Sequence, residues 1–177
     1  MLTPVLILLV IHGMVGGADV LVNHEWRERL PSRKEARPEQ ALHSARELVF
    51  GILFGGMAWL QWGGLLAWAI AALMLVEISI SLCDTLLEDR TRRLSALERT
   101  MHVLLFINFG AYNARLVPVL VEWHTLPTGF TIVHHGALTW MLTALSVASL
   151  AWCVRDGLSY RALGKDGRKE KLSPLMG

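Results

Sequence analysis

Pairs of an acid and a histidine recur at helical spacing in this strongly apolar sequence. Glu39 and His43 are four residues apart, Glu98 and His102 are four residues apart, and Glu47 follows His43 by another four. Residues at this spacing lie one turn apart on the same face of an α-helix. Carboxylate oxygens and imidazole nitrogens presented together are typical ligands of divalent iron, manganese or zinc.

Two further groups of polar residues share a second pattern. In each group the second member comes seven residues after the first, and the third comes four residues after the second. On a helix of 3.6 residues per turn, such residues lie within about 20° to 40° of one another and form one polar stripe. The groups are His12, Asp19 and Asn23, and then Glu77, Asp84 and Glu88.

Membrane-spanning helices are the elements that must carry these residues. Hydrophobic residues make up 53% of the 177 positions and charged residues only 18%, which is too apolar for a soluble domain of this size. Since a span takes roughly 20 helical residues, the sequence predicts an all-α polytopic membrane bundle with about five transmembrane helices. The predicted spans are Pro4 to Asn23, Glu39 to Trp62, Leu65 to Glu88, Glu98 to Val121 and Thr128 to Val154.

The matching stripes also indicate an internal repeat. Spans 1 and 2 and spans 3 and 4 are expected to form two hairpin pseudo-repeats, with the fifth helix added to them. A tight turn is expected at Gly63-Gly64, between spans 2 and 3. Residues 1–160 would form a single transmembrane domain, and residues 161–177 a basic cytoplasmic tail.

The basic residues predict the orientation. Of the 17 Lys and Arg residues, all but Arg115 fall in or next to the loops between spans 1 and 2 and between spans 3 and 4, at the start of span 2, or after span 5. By the positive-inside rule these segments are cytoplasmic, so the N-terminus lies outside and the C-terminus inside. The polar stripes then converge in the cytoplasmic leaflet. Because positive-inside sorting accounts for the basic loops, no nucleic-acid partner is expected.

Seven acids in one leaflet cannot all stay ionised without compensating positive charge. We expect Arg46, Arg90 and Arg99 to neutralise a few of them at the rim, and metal ions to neutralise the rest. The predicted metal ligands are Asp19, Glu39, His43, Glu47, Glu77, Asp84, Glu88, Glu98 and His102.

Some of these residues have a second interpretation. His12, His24 and Arg46 are candidates for orienting a ligand instead of binding metal, and so is Glu77. Glu39, Glu88 and His24 fall at the membrane interface, where solvation or helix capping is an open alternative to ligation. His134 and His135 are predicted in the fifth helix, far from the other candidates.

Over the first four spans, the arrangement resembles the di-iron carboxylate site of ferritin-like four-helix bundles. In that family two helices each give one acid and two give Glu-x-x-His, whereas this chain has Glu-x-x-x-His. The resemblance implies two divalent metal ions, iron preferred, with manganese or zinc as alternatives. It implies carboxylate ligation by Asp19, Glu47, Asp84 and Glu98, and nitrogen ligation by His43 and His102.

Such a site in a membrane implies an oxidoreductase that uses oxygen to oxidise a membrane lipid or another hydrophobic small molecule. Because the sequence contains no recognisable flavin, haem or nicotinamide motif, an external electron donor would be needed. Two alternatives stay open. One is a zinc-dependent intramembrane lipid hydrolase. The other is a metal-free membrane subunit in which the acids form a proton relay or serve a structural role.

Overall fold

The computed structural model describes residues 1–172, with their side chains as far as Lys165. Within these residues the chain forms five long helices and one pair of short strands. The helices are α1 (Leu2–Asp19), α2 (Arg37–Trp59), α3 (Ala67–Thr91), α4 (Ala96–His124) and α5 (Ala137–Leu172). The strands are β1 (Leu60–Gly63) and β2 (Gly129–Ile132).

Shorter helical segments complete the connections. α1 continues directly into a π-helical segment, Val20–Arg27. Single 3-10 turns follow at Leu30–Ser32 and Lys34–Ala36 before α2, and a third at Gly64–Leu66 leads into α3. π-Helical segments are rare and occur often at functional sites, so the segment after α1 is notable.

The burial pattern of α3 is the reverse of that in a soluble protein. Its exposed positions include Leu75, Ile78 and Leu82, each at least half exposed. Its buried positions follow one another at spacings of three and four, as expected for a single helix face. They are Ala67, Ile70, Met74, Glu77, Ser81, Asp84 and Glu88. The helix therefore hides carboxylates and presents leucine and isoleucine to its surroundings, which suits a lipid environment.

Four stretches of the described chain are long and apolar enough to cross a membrane. They are Leu2–Arg27, Gly64–Thr91, Ala96–His124 and Ala137–Lys165. α2 is not among them, because its first turns carry the ionisable residues Glu39, Arg46 and Glu47.

The strand pair closes one end of the bundle, which we call the β end. β1 and β2 pair in antiparallel register, with Leu60 opposite Ile132 and Gly63 opposite Gly129. The pair connects the turn between α2 and α3 to the segment between α4 and α5. Gly64 has a φ of +62°, a conformation that favours glycine.

This pairing corrects the prediction for the fifth span. The sequence predicted helix from Thr128, but β2 occupies this stretch and α5 begins only at Ala137. A second glycine with positive φ, Gly136, precedes the helix. His134 and His135 consequently lie in the connection before α5 and not in the helix.

α5 packs most extensively against α2. Small residues allow this close approach: the Ser146 hydroxyl donates to the Gly51 carbonyl at 2.7 Å, and the Ser44 hydroxyl donates to the Cys153 carbonyl at 2.9 Å. α5 continues as a helix past residue 161, the predicted start of the tail, and next to this position Arg37 stacks over the Tyr160 ring at 4.3 Å. Residues 173–177 of the predicted tail lie outside the described residues.

The interior of the bundle has two layers. Toward the β end it is apolar, with Leu6, Leu53, Phe54, Ile70 and Leu116 all essentially inaccessible to solvent. Toward the opposite end, which we call the polar end, the buried residues are acids and histidines. The apolar layer holds the helices together, and the polar layer contains the candidate site.

The β end offers a test of the fold with a matched control. Gly64→Ala should lower the free energy of unfolding by about 1–3 kcal/mol, because alanine is strained at positive φ and its Cβ would lie 2.6 Å from Thr128 Cα. Gly129→Ala, in the paired strand, places its Cβ in open space and should change stability by less than about 0.5 kcal/mol. Thermal unfolding in detergent, followed by circular dichroism, measures both, and equal effects of the two changes would contradict the observed turn.

Candidate metal centre

The polar end collects acidic and histidine side chains from the ends of α1 to α4. We call the following eight residues the acid–histidine cluster: Asp19 and His24 from α1 and its π-helical extension, Glu39 and His43 from α2, Asp84 and Glu88 from α3, and Glu98 and His102 from α4. All of these side chains except that of His102 are less than 5% exposed. α1 and α3 contribute near their last turns and α2 and α4 near their first, so antiparallel helices place these residues at one level.

Two groups of four residues in the cluster could each hold a metal ion. Within each group, one ligand atom per residue lies within 4.8 Å of all the others. The first group is His24, Glu39, His43 and Glu88, and the second is His24, Glu88, Glu98 and His102. Each group therefore contains one of the predicted Glu-x-x-x-His pairs, and His24 and Glu88 belong to both.

His24 is buried beside two carboxylates and makes no hydrogen bond of ordinary geometry to either. It is 4% exposed, and neither of its ring nitrogens makes a hydrogen bond within the described residues. Its Nε2 lies 3.5 Å from Glu98 and 3.7 Å from Asp19, while its ring stacks on that of His43 at 4.5 Å with an angle of only 9°. Two positively charged imidazoles would repel in this parallel stack, so the geometry favours at least one neutral ring with a free lone pair.

Asp19 joins the cluster on the α4 side. One carboxylate oxygen lies 3.2 Å from Nε2 of His102, and the other accepts a hydrogen bond from the Asn23 amide at 2.7 Å. The second ring nitrogen of His102 lies 3.6 Å from Glu88. His102 thus stands between two carboxylates, one from α1 and one from α3.

Asp84 occupies the opposite side, next to α2. Its Oδ2 accepts a hydrogen bond from the Arg46 guanidinium at 2.6 Å and lies 3.3 Å from Nε2 of His43. Arg46 therefore neutralises a cluster acid, as the sequence predicted, and His43 connects Asp84 to the first ligand group.

Arg92 is the principal counter-ion of the remaining acids. It lies in the short linker between α3 and α4, and its guanidinium donates to Glu98 at 2.6 Å, to Glu39 at 2.8 Å and to Glu88 at 3.2 Å. Burial alone would lower the pKa of Arg92, but the hydrogen bonds and negative charges of Glu98 and Glu39 outweigh burial and raise that pKa above its ordinary value. The guanidinium therefore remains charged.

The charges of the cluster do not balance from arginine alone. Asp19, Glu39, Asp84, Glu88 and Glu98 supply five carboxylates, whereas the arginines in contact with them are Arg46 and Arg92. When all five carboxylates are ionised, three negative charges remain. Either protonated histidines or bound cations must compensate them in a buried setting.

Six predicted site residues lie outside both ligand groups. Asp19 and Asp84 contact histidines of these groups and Arg46 contacts Asp84, whereas Glu47, Glu77 and His12 make other contacts. Glu47 lies one turn beyond His43 and lines a cavity together with Ser149 of α5. Glu77 is deeper in the bundle and accepts a hydrogen bond from the Ser81 hydroxyl at 2.6 Å. His12 is deeper still among aromatic rings, 4.8 Å from that of Phe50.

Two residues matter more in the structure than in the sequence interpretation. The sequence places His24 among the orienting residues at the membrane interface. On a regular α-helix, five residues from Asp19 would turn His24 about 140° away from that acid. The π-helical winding of Val20–Arg27 brings both residues to the same side. Arg92 was not singled out from its basic segment, although it follows Glu88 by four residues, a spacing that favours an ion pair.

No protein-family profile, curated protein or solved structure matches the chain. The interpretation of the cluster therefore depends on its own geometry.

Arg92 provides a test of how the acids are compensated. Without added metal, Arg92→Gln should lower the free energy of unfolding by about 3–5 kcal/mol, because three buried carboxylates lose a shared counter-ion. If these acids can bind cations, Mn²⁺ or Zn²⁺ should restore more stability to Arg92→Gln than it adds to the wild type. Arg90→Gln, which removes the same charge from an exposed position in the same segment, is the control. Equal stability of all three proteins would show that Arg92 is not the counter-ion.

Proposed function

We propose that this chain is an integral membrane metalloprotein that holds two divalent metal ions, iron preferred, and oxidises a lipid or another hydrophobic small molecule. The single observation that carries this proposal is that two groups of possible ligands share His24, a buried histidine whose Nδ1 has no partner among the described residues and whose Nε2 faces the carboxylates of Asp19 and Glu98. A buried imidazole nitrogen without a hydrogen bond is costly unless it binds something.

The membrane setting is supported by the reversed burial of the helices. The proposed arrangement has five spans, including α2, whose Glu39 and His43 are buried in the bundle and whose Arg46 pairs with the buried Asp84. The N-terminus lies outside and the C-terminus in the cytoplasm, because the basic loops adjoin the polar end. The cluster then lies in the cytoplasmic leaflet.

The two ligand groups suggest how a metal pair would be held. Glu39 and His43 would bind one ion, and Glu98 and His102 the other. Glu88 lies in both groups and would bridge the ions. This distribution supports the resemblance to ferritin-like di-iron sites, where two helices each carry an acid and a histidine at helical spacing.

Iron in such a site supplies oxygen-dependent oxidation, with electrons from a separate donor. The chain's own residues would bind and orient the ions. Asp19 would orient His102, and Asp84 would orient His43, through the contacts already described. Carboxylates that hold histidine ligands in this way raise their basicity and fix their tautomer. A zinc-dependent lipid hydrolase would use the same ligands and is the alternative metal-dependent function.

The contacts of Arg92 favour a second candidate, a metal-free structural or proton-relay subunit. Its guanidinium already pairs with three of the acids, and protonation of the three cluster histidines would balance the remaining negative charges. The parallel stack of His24 on His43 disfavours this state, because it would place two cations 4.5 Å apart.

Metal analysis of histidine variants distinguishes these functions. His24→Ala, His43→Ala and His102→Ala should each lower the metal content of protein purified without chelators, because each removes a nitrogen ligand. His134→Ala should leave it unchanged, because His134 lies at the β end against Trp59. Elemental analysis by mass spectrometry gives both the amount and the identity of the metal. Wild-type protein that folds without metal and gains no stability from iron, manganese or zinc would instead support the metal-free candidate.

Cysteine labelling in cells tests the proposed orientation. In a background with Cys83 and Cys153 replaced by alanine, Ile132→Cys should react with an impermeant maleimide, because Ile132 is 81% exposed at the outer end. Ser32→Cys, in the basic loop before α2, should react only after the cells are permeabilised. Labelling of position 32 in intact cells would place the cluster in the opposite leaflet.

A further inference from the structure

An apolar cavity of about 180 Å³ adjoins the acid–histidine cluster between α1, α2 and α5. Its polar end is formed by His24, His43 and Trp152, and its walls are mostly apolar, with Phe50 and Leu145 among them. Elongated cavities with apolar walls and a few polar groups at one end are typical of sites for hydrophobic ligands.

The cavity runs parallel to the helices. Along α2 it extends from His43 to Phe54, which at 1.5 Å per residue is about 16 Å. It narrows toward the middle of the bundle near Gly13, where an added Cβ would lie only 2.8 Å from Leu145 and 3.1 Å from Phe54. A hydrocarbon chain in this space would point its tail toward the bilayer centre.

The side of the cavity is open between α1 and α5. Gly17, Leu21 and Ala148 line it and are themselves exposed. A Cβ on Gly17 would meet no atom within 4 Å. This opening lies on the apolar outer surface of the bundle, so that a ligand could enter sideways from lipid.

The polar groups at the end of the cavity beside the acid–histidine cluster include two hydrogen-bond donors without an acceptor. Nε of Arg46 and Nε1 of Trp152 are buried and have no partner among the described residues. Both groups can only donate, so a matching ligand must bring an acceptor oxygen. The charge of Arg46 is already paired with Asp84, and Glu47 lies on the same wall. An uncharged acceptor therefore fits better than a carboxylate.

We infer that this cavity binds a single-chain lipid, which enters between α1 and α5. The lipid carries an uncharged carbonyl oxygen at the end that lies beside the acid–histidine cluster. The oxygen accepts from Arg46 and Trp152, and the atoms beside the carbonyl lie next to His24 and His43. As a statement about the substrate, this inference rests on the proposed metal-dependent function. The inference places the reaction near the carbonyl end of the lipid and not at the middle of its hydrocarbon chain.

Two glycine variants test the location of the ligand. Gly17→Phe should fill the opening without a clash at its Cβ. Gly110→Phe is the matched control, because Gly110 is also helical, also accepts a Cβ in open space, and lines a different cavity, between α1, α3 and α4. The probe is a long-chain methyl ketone with a diazirine on its chain, photolysed with the protein in lipid nanodiscs. We expect at least a tenfold loss of cross-linking in Gly17→Phe and no loss in Gly110→Phe.

The chemistry of the ligand is tested with matched probes. The alkane and the fatty acid with the same chain and diazirine should label more weakly than the ketone. Trp152→Phe, which keeps an aromatic ring but removes the donor, should lower ketone affinity about fivefold, the effect of one hydrogen bond. Mapped cross-links should fall on α1 and α5. Cross-links on α3 and α4, or equal labelling of Gly17→Phe and Gly110→Phe, would overturn the inference.

Metal content measured on the same samples keeps the two proposals apart. Ketone binding by a protein that takes up no metal would support the lipid site and reject the metalloenzyme. Metal uptake with no preference for the ketone over the alkane and the fatty acid would reject the lipid site and leave the metal centre standing.

Discussion

Buried carboxylates need positive charge within contact distance, and this need explains most of the architecture at the polar end. Removing one partner from a buried ion pair costs several kcal/mol, because the other charge is left uncompensated. Arg46 reaches Asp84 from α2, and Arg92 reaches Glu39, Glu88 and Glu98 from the linker between α3 and α4. A cluster of this charge cannot form until these helices and the linker are all in place, so the site and the fold depend on each other.

The same constraint explains why the cluster lies where helix ends meet. Ionisable side chains in the apolar layer would require compensation that neighbouring leucine and phenylalanine cannot give. Between the end of α3 and the start of α4 the chain leaves the helix. The linker there can place the guanidinium of Arg92 against acids from three helices. The position of the linker therefore determines which carboxylates are neutralised.

The cluster also lies between two cavities, one beside α5 and the other beside α3 and α4. Asp19 and Arg46 line both of them, so a ligand in either cavity would contact the same polar wall. The apolar layer and the strand pair close the opposite end of the bundle. In the proposed membrane setting, both cavities would give lateral access to the cluster from lipid, which would suit a reaction on a hydrophobic molecule.

Much of this architecture was predictable from the sequence alone. Four apolar helical stretches, the polar stripe of α3 and the two Glu-x-x-x-His pairs follow from composition and from a period of 3.6 residues, because helix spacing is a local property. That α1 to α4 bring their polar residues to one end follows from their alternating direction. The beginning of α5 did not follow, since β2 forms by pairing with a strand far away in the sequence.

Tertiary structure alone decided the composition of the site. The position of His24 depends on π-helical winding that an α-helical period cannot predict. The position of Glu47 beside Ser149 of α5 depends on the packing of α5 against α2. The choice of Arg92 over Arg90 and Arg99 as counter-ion depends on the path of a short linker. Each of these outcomes rests on contacts between elements, and sequence spacing describes only the faces of one helix at a time.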